Sequence, residues 1–321
     1  MIYADVGSLS AMENFGCEMY FATEARLTDT VFLLWSTTPT VMLGKYQNAL
    51  EEIDRTYVEA HGITVIRRMS GGGTIYTDPG GLQFSYIVPD GAAEIDFTAF
   101  VTPVTRALCA MGLYAAADGR NDILVSGKKV SGNAQYKIKG TTVHHGSLLF
   151  DTDLAALTKA TTPKPYKITS KSIASVRDRV TNIREHLPHD MTLAAFRGAL
   201  LLALVGNTTP YPLSDAVRER IHALGMEHYG ASVWETGPKY EITKICHLSG
   251  GTMEFSLSVK NGTITACRVS GDFFASVDGG EIEACLTGQP LAFSALENAL
   301  SPLSGRLFSI SPAEIARVLS E

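Results

Sequence analysis

The run Arg67-Arg68-Met69-Ser70-Gly71-Gly72-Gly73-Thr74-Ile75-Tyr76 constrains this chain more than any other, because it sets two fixed cations and three consecutive glycines beside β-like patterns. Glycines without Cβ atoms let successive backbone N–H groups turn toward one concavity, and guanidiniums add bidentate bonds to anionic oxygens. A loop of this composition can hold a phosphate or carboxylate. Taken alone, the same run also describes a glycine-rich turn beside a surface arginine pair.

The flanking sequence reads as alternating helices and strands. Leu9, Met12, Phe15, Met19 and Phe21 recur at near-helical spacing within residues 8–26, predicting an amphipathic helix. Val31–Leu34 and Ile63–Ile66 read as short buried strands, and Leu82–Ile87 as a strand with one covered face, so the Arg67–Tyr76 run falls between strands. Phe97, Phe100, Val101, Val104 and Leu108 predict a helix over 97–111, stopped by Gly112. Between Asp122 and Phe150 short β-runs divided by Gly127, Gly132 and Gly140 predict an antiparallel meander. The mixed, basic stretch 151–187 is expected to cover that sheet, with helices near 191–205 and 212–226. Composition changes at Gly237-Pro238. Beyond it, Met253–Val259 and Thr263–Val269 alternate around Lys260-Asn261-Gly262, a hairpin signature, and helices are expected near 292–299 and 312–319.

Composition limits the function classes. A hydrophobic share of 45% over 321 residues supports a large core and a smaller one. A formal net charge of −6 argues against general affinity for nucleic acid or acidic membranes. No run reaches the roughly 18 apolar residues of a membrane span, and the N-terminus lacks a secretory pattern, so a cytoplasmic protein is expected. Five scattered cysteines without a C-x-x-C pair read as reduced thiols. Cys17 and Cys109 are expected to be packing residues. His144 and His145, neighbours in a strand, should point to opposite faces, one packed and one at the surface.

Four blocks, RRMSGGGTIY, GRNDILV (119–125), GKKVSGNAQ (127–135) and HHGSLLFDTDL (144–154), occur in the order and spacing of ATP-dependent lipoate-protein ligases, and the chain resembles that family over nearly its whole length. Two weaker blocks agree: Trp35–Gly44 leading to Gln47-Asn48, and Gly271-Asp272-Phe273-Phe274. The resemblance implies an α+β fold, a biotin-ligase and class II synthetase-like catalytic domain over residues 1–238, and a small α+β accessory domain over 239–321. It also implies activation of lipoate by MgATP as lipoyl-AMP and transfer to a lysine of lipoyl domains of 2-oxoacid dehydrogenase E2 subunits or the glycine-cleavage H protein.

By the same resemblance Lys129 is the catalytic residue, touching acyl carbonyl and phosphate together, which suits a compact ammonium. ATP or lipoyl-AMP would be held by Arg68, Ser70, Gly73, Thr74, Ile75, Tyr76, Asn121, Asp122, Lys129 and Ala134. Lipoate would be held by Trp35, Arg68, Gly72, Lys129, His145 and Ser147, and Mg²⁺ by Asp122. The sequence departs from the family where Thr77 replaces the usual histidine before Asp78, and where Gly81 and Gln83 replace asparagines. Polar contacts around the acyl group are therefore expected to differ. Two rivals stay open: a cysteine-dependent octanoyl or lipoyl transferase of the same fold, which needs a reactive thiolate, and a non-catalytic lipoate-sensing binder.

Overall fold

The first helix forms where the sequence supplies both a cap and an apolar stripe. Ser10 accepts a hydrogen bond from the Glu13 amide at the start of α1 (Ala11–Thr23), along which Phe15, Met19 and Ala22 are buried. The computed structural model describes residues 1–91, 95–119, 121–161, 179–234 and 240–321. Contacts divide these into two compact units. The first holds Met1–Leu43, Leu50–Arg67 and Thr74–Val233; the second holds Trp234–Glu321 together with the loops Gly44–Ala49 and Arg68–Gly73. The composition change expected at Gly237-Pro238 lies outside the described residues.

The first unit is built on a seven-stranded sheet in the order β1-β2-β6-β10-β9-β8-β7. Its strands are β1 (Ile2–Ala4), β2 (Val31–Trp35), β6 (Gly81–Val88), β7 (Ala115–Asp118), β8 (Asp122–Val125), β9 (Lys128–Ile138) and β10 (Thr141–Leu149). Every pairing is antiparallel except β1 with β2. The predicted meander from Asp122 is thus β8-β9-β10. A second sheet, β4-β3-β5, is formed by β3 (Thr40–Leu43), β4 (Thr64–Arg67) and β5 (Ile75–Thr77), with β3 and β4 parallel. The Arg67–Tyr76 run does join two strands, though β4 is less buried than its apolar residues suggest.

Helices cover both faces of the large sheet, so β10 is buried along its whole length. α1 lies on the face that carries Ser85 and His145, where Glu18 meets both. On the other, Phe100 of α4 (Thr98–Ala110) stacks on His144 with centroids 4.5 Å apart. Both histidines are therefore buried, which corrects the expectation of one at the surface: that reading assumed a sheet with one solvated face. α6 (Leu193–Val205) adds a stack of Phe196 on Phe150, and α7 (Asp215–Tyr229) packs on α1.

The second unit folds around β11 (Ile242–Leu248), β12 (Gly251–Lys260) and β13 (Thr263–Gly271), with α8 (Gly279–Leu286), α9 (Phe293–Leu300) and α10 (Pro312–Ser320). Phe255, Leu257, Phe273, Leu296 and Ile315 are among its core residues. Asn261 and Gly262 take φ of 52° and 73°, the left-handed pair that closes a tight hairpin between β12 and β13.

The α1–α7 contact gives a paired prediction. A Cβ at Gly16 would stand 2.3 Å from the Ile221 carbonyl oxygen, a backbone atom that cannot swing away. Gly16→Ala is expected to destabilise the protein by about 1–3 kcal/mol in urea unfolding through overpacking. A Cβ at helical Gly198 meets nothing within 4 Å, so Gly198→Ala should raise stability by about 0.5–1 kcal/mol. Equal effects of the two substitutions would contradict the close approach at Gly16.

Candidate active site

One row of residues crosses the α1 face of the large sheet from strand to strand. Asp122 of β8 lies opposite Gly132 of β9, whose amide donates to Ser147 Oγ of β10 at 3.4 Å; Ser147 lies opposite Gln83 of β6, and Gln83 opposite Trp35 of β2. Four residues picked from the sequence thus meet here or border the row: Trp35, Ser147, Asp122 and, over Gly132, Lys129. One step along the strands, Ser85, His145 and Ala134 form the next row.

Lys129 Nζ pairs with Asp122 Oδ1 at 2.8 Å, the two side chains being 38% and 30% exposed. Gly132 leaves room for this seat: a Cβ there would lie 3.3 Å from both Cε and Nζ of Lys129, displacing the ammonium by a few tenths of an ångström. The Lys129 backbone is held too, its carbonyl accepting from the Thr181 amide at 3.1 Å. A half-exposed ion pair is worth about 0–1 kcal/mol, so a phosphate group can displace the carboxylate from the ammonium at little cost. Asp122 also bears on metal binding. Among the described residues no three His, Cys, Asp or Glu side chains converge. One carboxylate beside a cation fits Mg²⁺ held mainly by ligand phosphates, and does not fit an all-protein metal cage.

Asn121 is committed to structure. Its side-chain amide donates to the Asn133 carbonyl at 2.6 Å, and the Asn133 side chain donates back to the Asn121 carbonyl at 3.0 Å. This exchange clamps the entry to β8 against β9 and leaves Asp122 pointing at Lys129. Asn133 Oδ1 also faces His144 Nε2 at 3.2 Å. Burial drives the His144 pKa well below the usual histidine range.

The floor of the face is polar where sequence reasoning expected packing. Glu18 of α1 is fully buried and accepts from Ser85 Oγ at 2.5 Å, from Tyr136 Oη at 3.4 Å and faces His145 Nδ1 at 3.2 Å. Trp35 Nε1 donates to the same Ser85 Oγ at 3.2 Å, and Phe15 packs edge-on to Trp35 and His145. Trp35 and His145 are thereby oriented by one carboxylate. The sequence carried a signal for Glu18, which falls on the apolar stripe of Phe15, Met19 and Ala22.

The remaining nominated residues lie in the Arg68–Thr74 loop and on β5. In the second unit Arg68 is buried and turned into its own loop: Nη2 donates to the Gly71 and Gly73 carbonyls at 3.1 and 2.9 Å, and Nε to Ser70 Oγ at 3.4 Å. Burial lowers its pKa to about 10, so it remains a cation at neutral pH. A Cβ at Gly71 would stand 2.2 Å from the Phe273 carbonyl oxygen, and Gly72, at φ 91°, donates its amide there at 3.4 Å. Tyr46 stacks on Phe273 at 4.3 Å and donates to the Val277 carbonyl. In the first unit Thr74 leads into β5, the edge strand of its sheet, so one side of the Ile75–Tyr76 backbone makes no bond within that sheet. The Tyr76 ring itself is packed away, and burial raises its pKa to about 12.

Three of the five cysteines lie where burial disfavours a reactive thiolate. Cys17 is buried and its pKa is raised by that burial; Cys246 and Cys267, in the second unit, are pushed up to about 11 and 12 for the same reason. Cys109 is exposed, which corrects its reading as a packing residue: it follows Leu108 on α4 and falls outside the buried stripe of Val101, Val104 and Leu108. Its helix covers the opposite face of the sheet.

The chain matches known proteins along most of its length. Residues 10–205 match the lipoyl protein ligase A/B catalytic domain, and residues 237–319 the bacterial lipoate protein ligase C-terminus. The lipoate-protein ligase LplJ of Bacillus subtilis is 39% identical over 89% of each chain, and lipoate–protein ligase 1 of Staphylococcus aureus 37% identical over 90% of this chain and 89% of that one. Among solved structures, Plasmodium falciparum LipL1 in complex with lipoate superposes with a TM-score of 0.76 over 96% of this chain and 94% of that one, at 18% identity. At that identity the likeness concerns the fold.

The seat of Lys129 can be tested by ATP titration calorimetry. Lys129→Ala and Gly132→Ala are each expected to weaken ATP binding roughly 10-fold, the second by lifting the ammonium off its seat. Lys128→Ala, on an exposed neighbour, should change it little. An equal loss in Lys129→Ala and Lys128→Ala, with none in Gly132→Ala, would show that only diffuse positive charge matters.

Proposed function

The chain belongs to the lipoate-protein ligase family, and from that premise we propose that its sheet row and glycine loop carry out the two half-reactions of ATP-dependent lipoylation. A carboxylate oxygen of lipoate attacks the α-phosphorus of ATP and pyrophosphate leaves, giving lipoyl-AMP. The ε-amine of an acceptor lysine then attacks the acyl carbon, AMP leaves with the carboxylate's former oxygen, and the amine proton passes to solvent. Catalysis of this kind is mostly positioning plus stabilisation of developing negative charge.

The single observation that carries this reading is the Lys129 ammonium, held by Asp122 over Gly132 at the end of the row that leads through Ser147 and Gln83 to Trp35. In our reading Lys129 leaves Asp122 to bridge the acyl oxygen and the α-phosphate, then steadies the charge that builds on the carbonyl. Arg68, Ser70, Gly72 and Gly73 supply a cationic loop for the adenylate and acyl oxygens. Thr74, Ile75 and Tyr76 offer edge-strand backbone to the nucleotide. Asn121 keeps Asp122 in place, and Asp122 would hold Mg²⁺ when the nucleotide brings it, screening phosphate charge. Trp35, His145, Ser147 and Ala134 line the acyl or adenylate side.

The acceptors in this reading are lipoyl domains of 2-oxoacid dehydrogenase E2 subunits and the glycine-cleavage H protein. A solved relative pairs a bipartite lipoate protein ligase of Thermoplasma acidophilum with its E2 lipoyl domain, at 23% identity. No described helix is long and apolar enough to cross a membrane, and we place the reaction in the cytoplasm. Residues 1–238 form the catalytic domain of this proposal and residues 239–321 its accessory domain.

Purified protein, ATP, Mg²⁺, lipoate and apo lipoyl domain should give an acceptor heavier by one lipoyl group in mass spectrometry, and only when ATP is present. Lys129→Ala should be slower by roughly 100-fold or more, as expected when a contact to developing charge is lost. A chain with all five cysteines replaced by alanine or serine should retain most of its rate. Loss of transfer on replacing one cysteine, with a thioester trapped on the protein, would favour the transferase instead.

A further inference from the structure

Lys129 sits at an irregularity of its strand. Asp122 faces Gly132 and Ile123 faces Ser131, but Leu124 faces Lys129, so Val130 is an extra residue on β9. On a regular strand Lys129 and Gly132, three positions apart, would point to opposite faces of the sheet. The bulge at Val130 brings Lys129 onto the face of Asp122 and Gly132, where its ammonium lies. A bulge disrupts the ladder around it, so the main chain at Lys129 depends on support from its other side.

That support comes from a segment some fifty positions later. The ladder between β10 and β9 ends at Asn133. Beyond it Val180 bridges to Lys129 in parallel, and the Thr181 amide donates to the Lys129 carbonyl at 3.1 Å. The next residue, Asn182, is buried and clasps the Thr152 main chain: its Nδ2 donates to the Thr152 carbonyl and its Oδ1 accepts from the Thr152 amide, each at 3.0 Å. A backbone N–H can only donate and a carbonyl can only accept, so these two partners fix which end of the Asn182 amide is which.

Thr152 is anchored in turn. On either side of it the Asp151 amide donates to the Gly80 carbonyl and the Asp153 amide to Asp78 Oδ2, both at 2.8 Å. The clasp thus ties the Val180–Asn182 segment to the turn between β5 and β6 and to the end of β10. On the ligase reading, we infer that Asn182 is a positioning residue: by clasping Thr152 it holds the Thr181 amide on the bulge and fixes the main chain from which the Lys129 ammonium reaches acyl and phosphate oxygens. It acts through Lys129, not on the substrate. A charged group displaced by about 1 Å can cost on the order of 100-fold in rate.

A double-mutant cycle separates this role from a merely structural one. Asn182→Ala should slow lipoate-dependent pyrophosphate release by roughly 10- to 100-fold in the wild-type background, but by less than about 3-fold where Lys129 is already alanine, because the effect runs through the ammonium. Asn182→Asp keeps the acceptor for the Thr152 amide and sets an oxygen against the Thr152 carbonyl. It should be slowed less than the alanine variant and again lose its effect beside Lys129→Ala, and it carries the cycle if Asn182→Ala does not fold. Equal falls in both backgrounds would make Asn182 structural and overturn the inference, as would unchanged rates. Deuterium exchange at the Thr181 amide, read without substrates, should quicken by roughly 10-fold or more in either variant. Exchange as slow as in the wild-type protein would overturn the clasp, whereas a wild-type protein that releases no pyrophosphate would sink the ligase reading and leave the clasp to be judged by exchange.

Discussion

Water is kept from both faces of the large sheet along β2, β6 and β10, so each polar group there must find a partner in the protein or in a ligand. That constraint organises the molecule. On one face the exchange between Asn121 and Asn133, extended to His144, closes on itself and fixes the start of β8. On the other, Glu18 absorbs the Ser85 hydroxyl and faces His145, and through Ser85 it orients Trp35. These networks are largely closed within the protein and serve as rigid walls, although His144 Nδ1 and Tyr86 Oη are buried without a hydrogen-bond partner among the described residues. The half-exposed Lys129–Asp122 pair and the unpaired end of Gln83 lie in one row of the α1 face.

The glycine loop obeys the same rule in the second unit. Arg68 is buried among the carbonyls of its own loop, so its charge stiffens the turn. Gly71 approaches the Phe273 carbonyl too closely for any side chain, and Tyr46 stacks on the same phenylalanine. The loop that gave the sequence its sharpest signal is therefore packed with residues some two hundred positions later. Removing the C-terminal segment would take away the core on which that loop is set.

Local signals were the legible part of the sequence. The caps and stripes of α1 and α4 and the Asn261-Gly262 hairpin need only neighbours a few residues apart, and those elements form where expected. β3 and β5, of four and three residues, are too short to show a period and exist through pairing with each other. Glu18 was not among the residues singled out, although it falls on the α1 stripe, because its partners Ser85, Tyr136 and His145 are distant in the chain. Both histidines looked divisible between core and surface because a sequence does not state how many faces of a sheet are covered. Lys129 and Asp122 were legible as chemical types; their direct pairing over Gly132 depends on the β8–β9 register, which spacing alone does not set.

The central claim is that this sheet row activates an acid as its adenylate. Lipoate labelled with ¹⁸O in both carboxylate positions, turned over with ATP and apo lipoyl domain, tests it most directly. Attack on the α-phosphorus followed by aminolysis predicts one ¹⁸O atom in each AMP released and none in pyrophosphate. Label found in inorganic phosphate, or unlabelled AMP alongside lipoylated acceptor, would contradict the account.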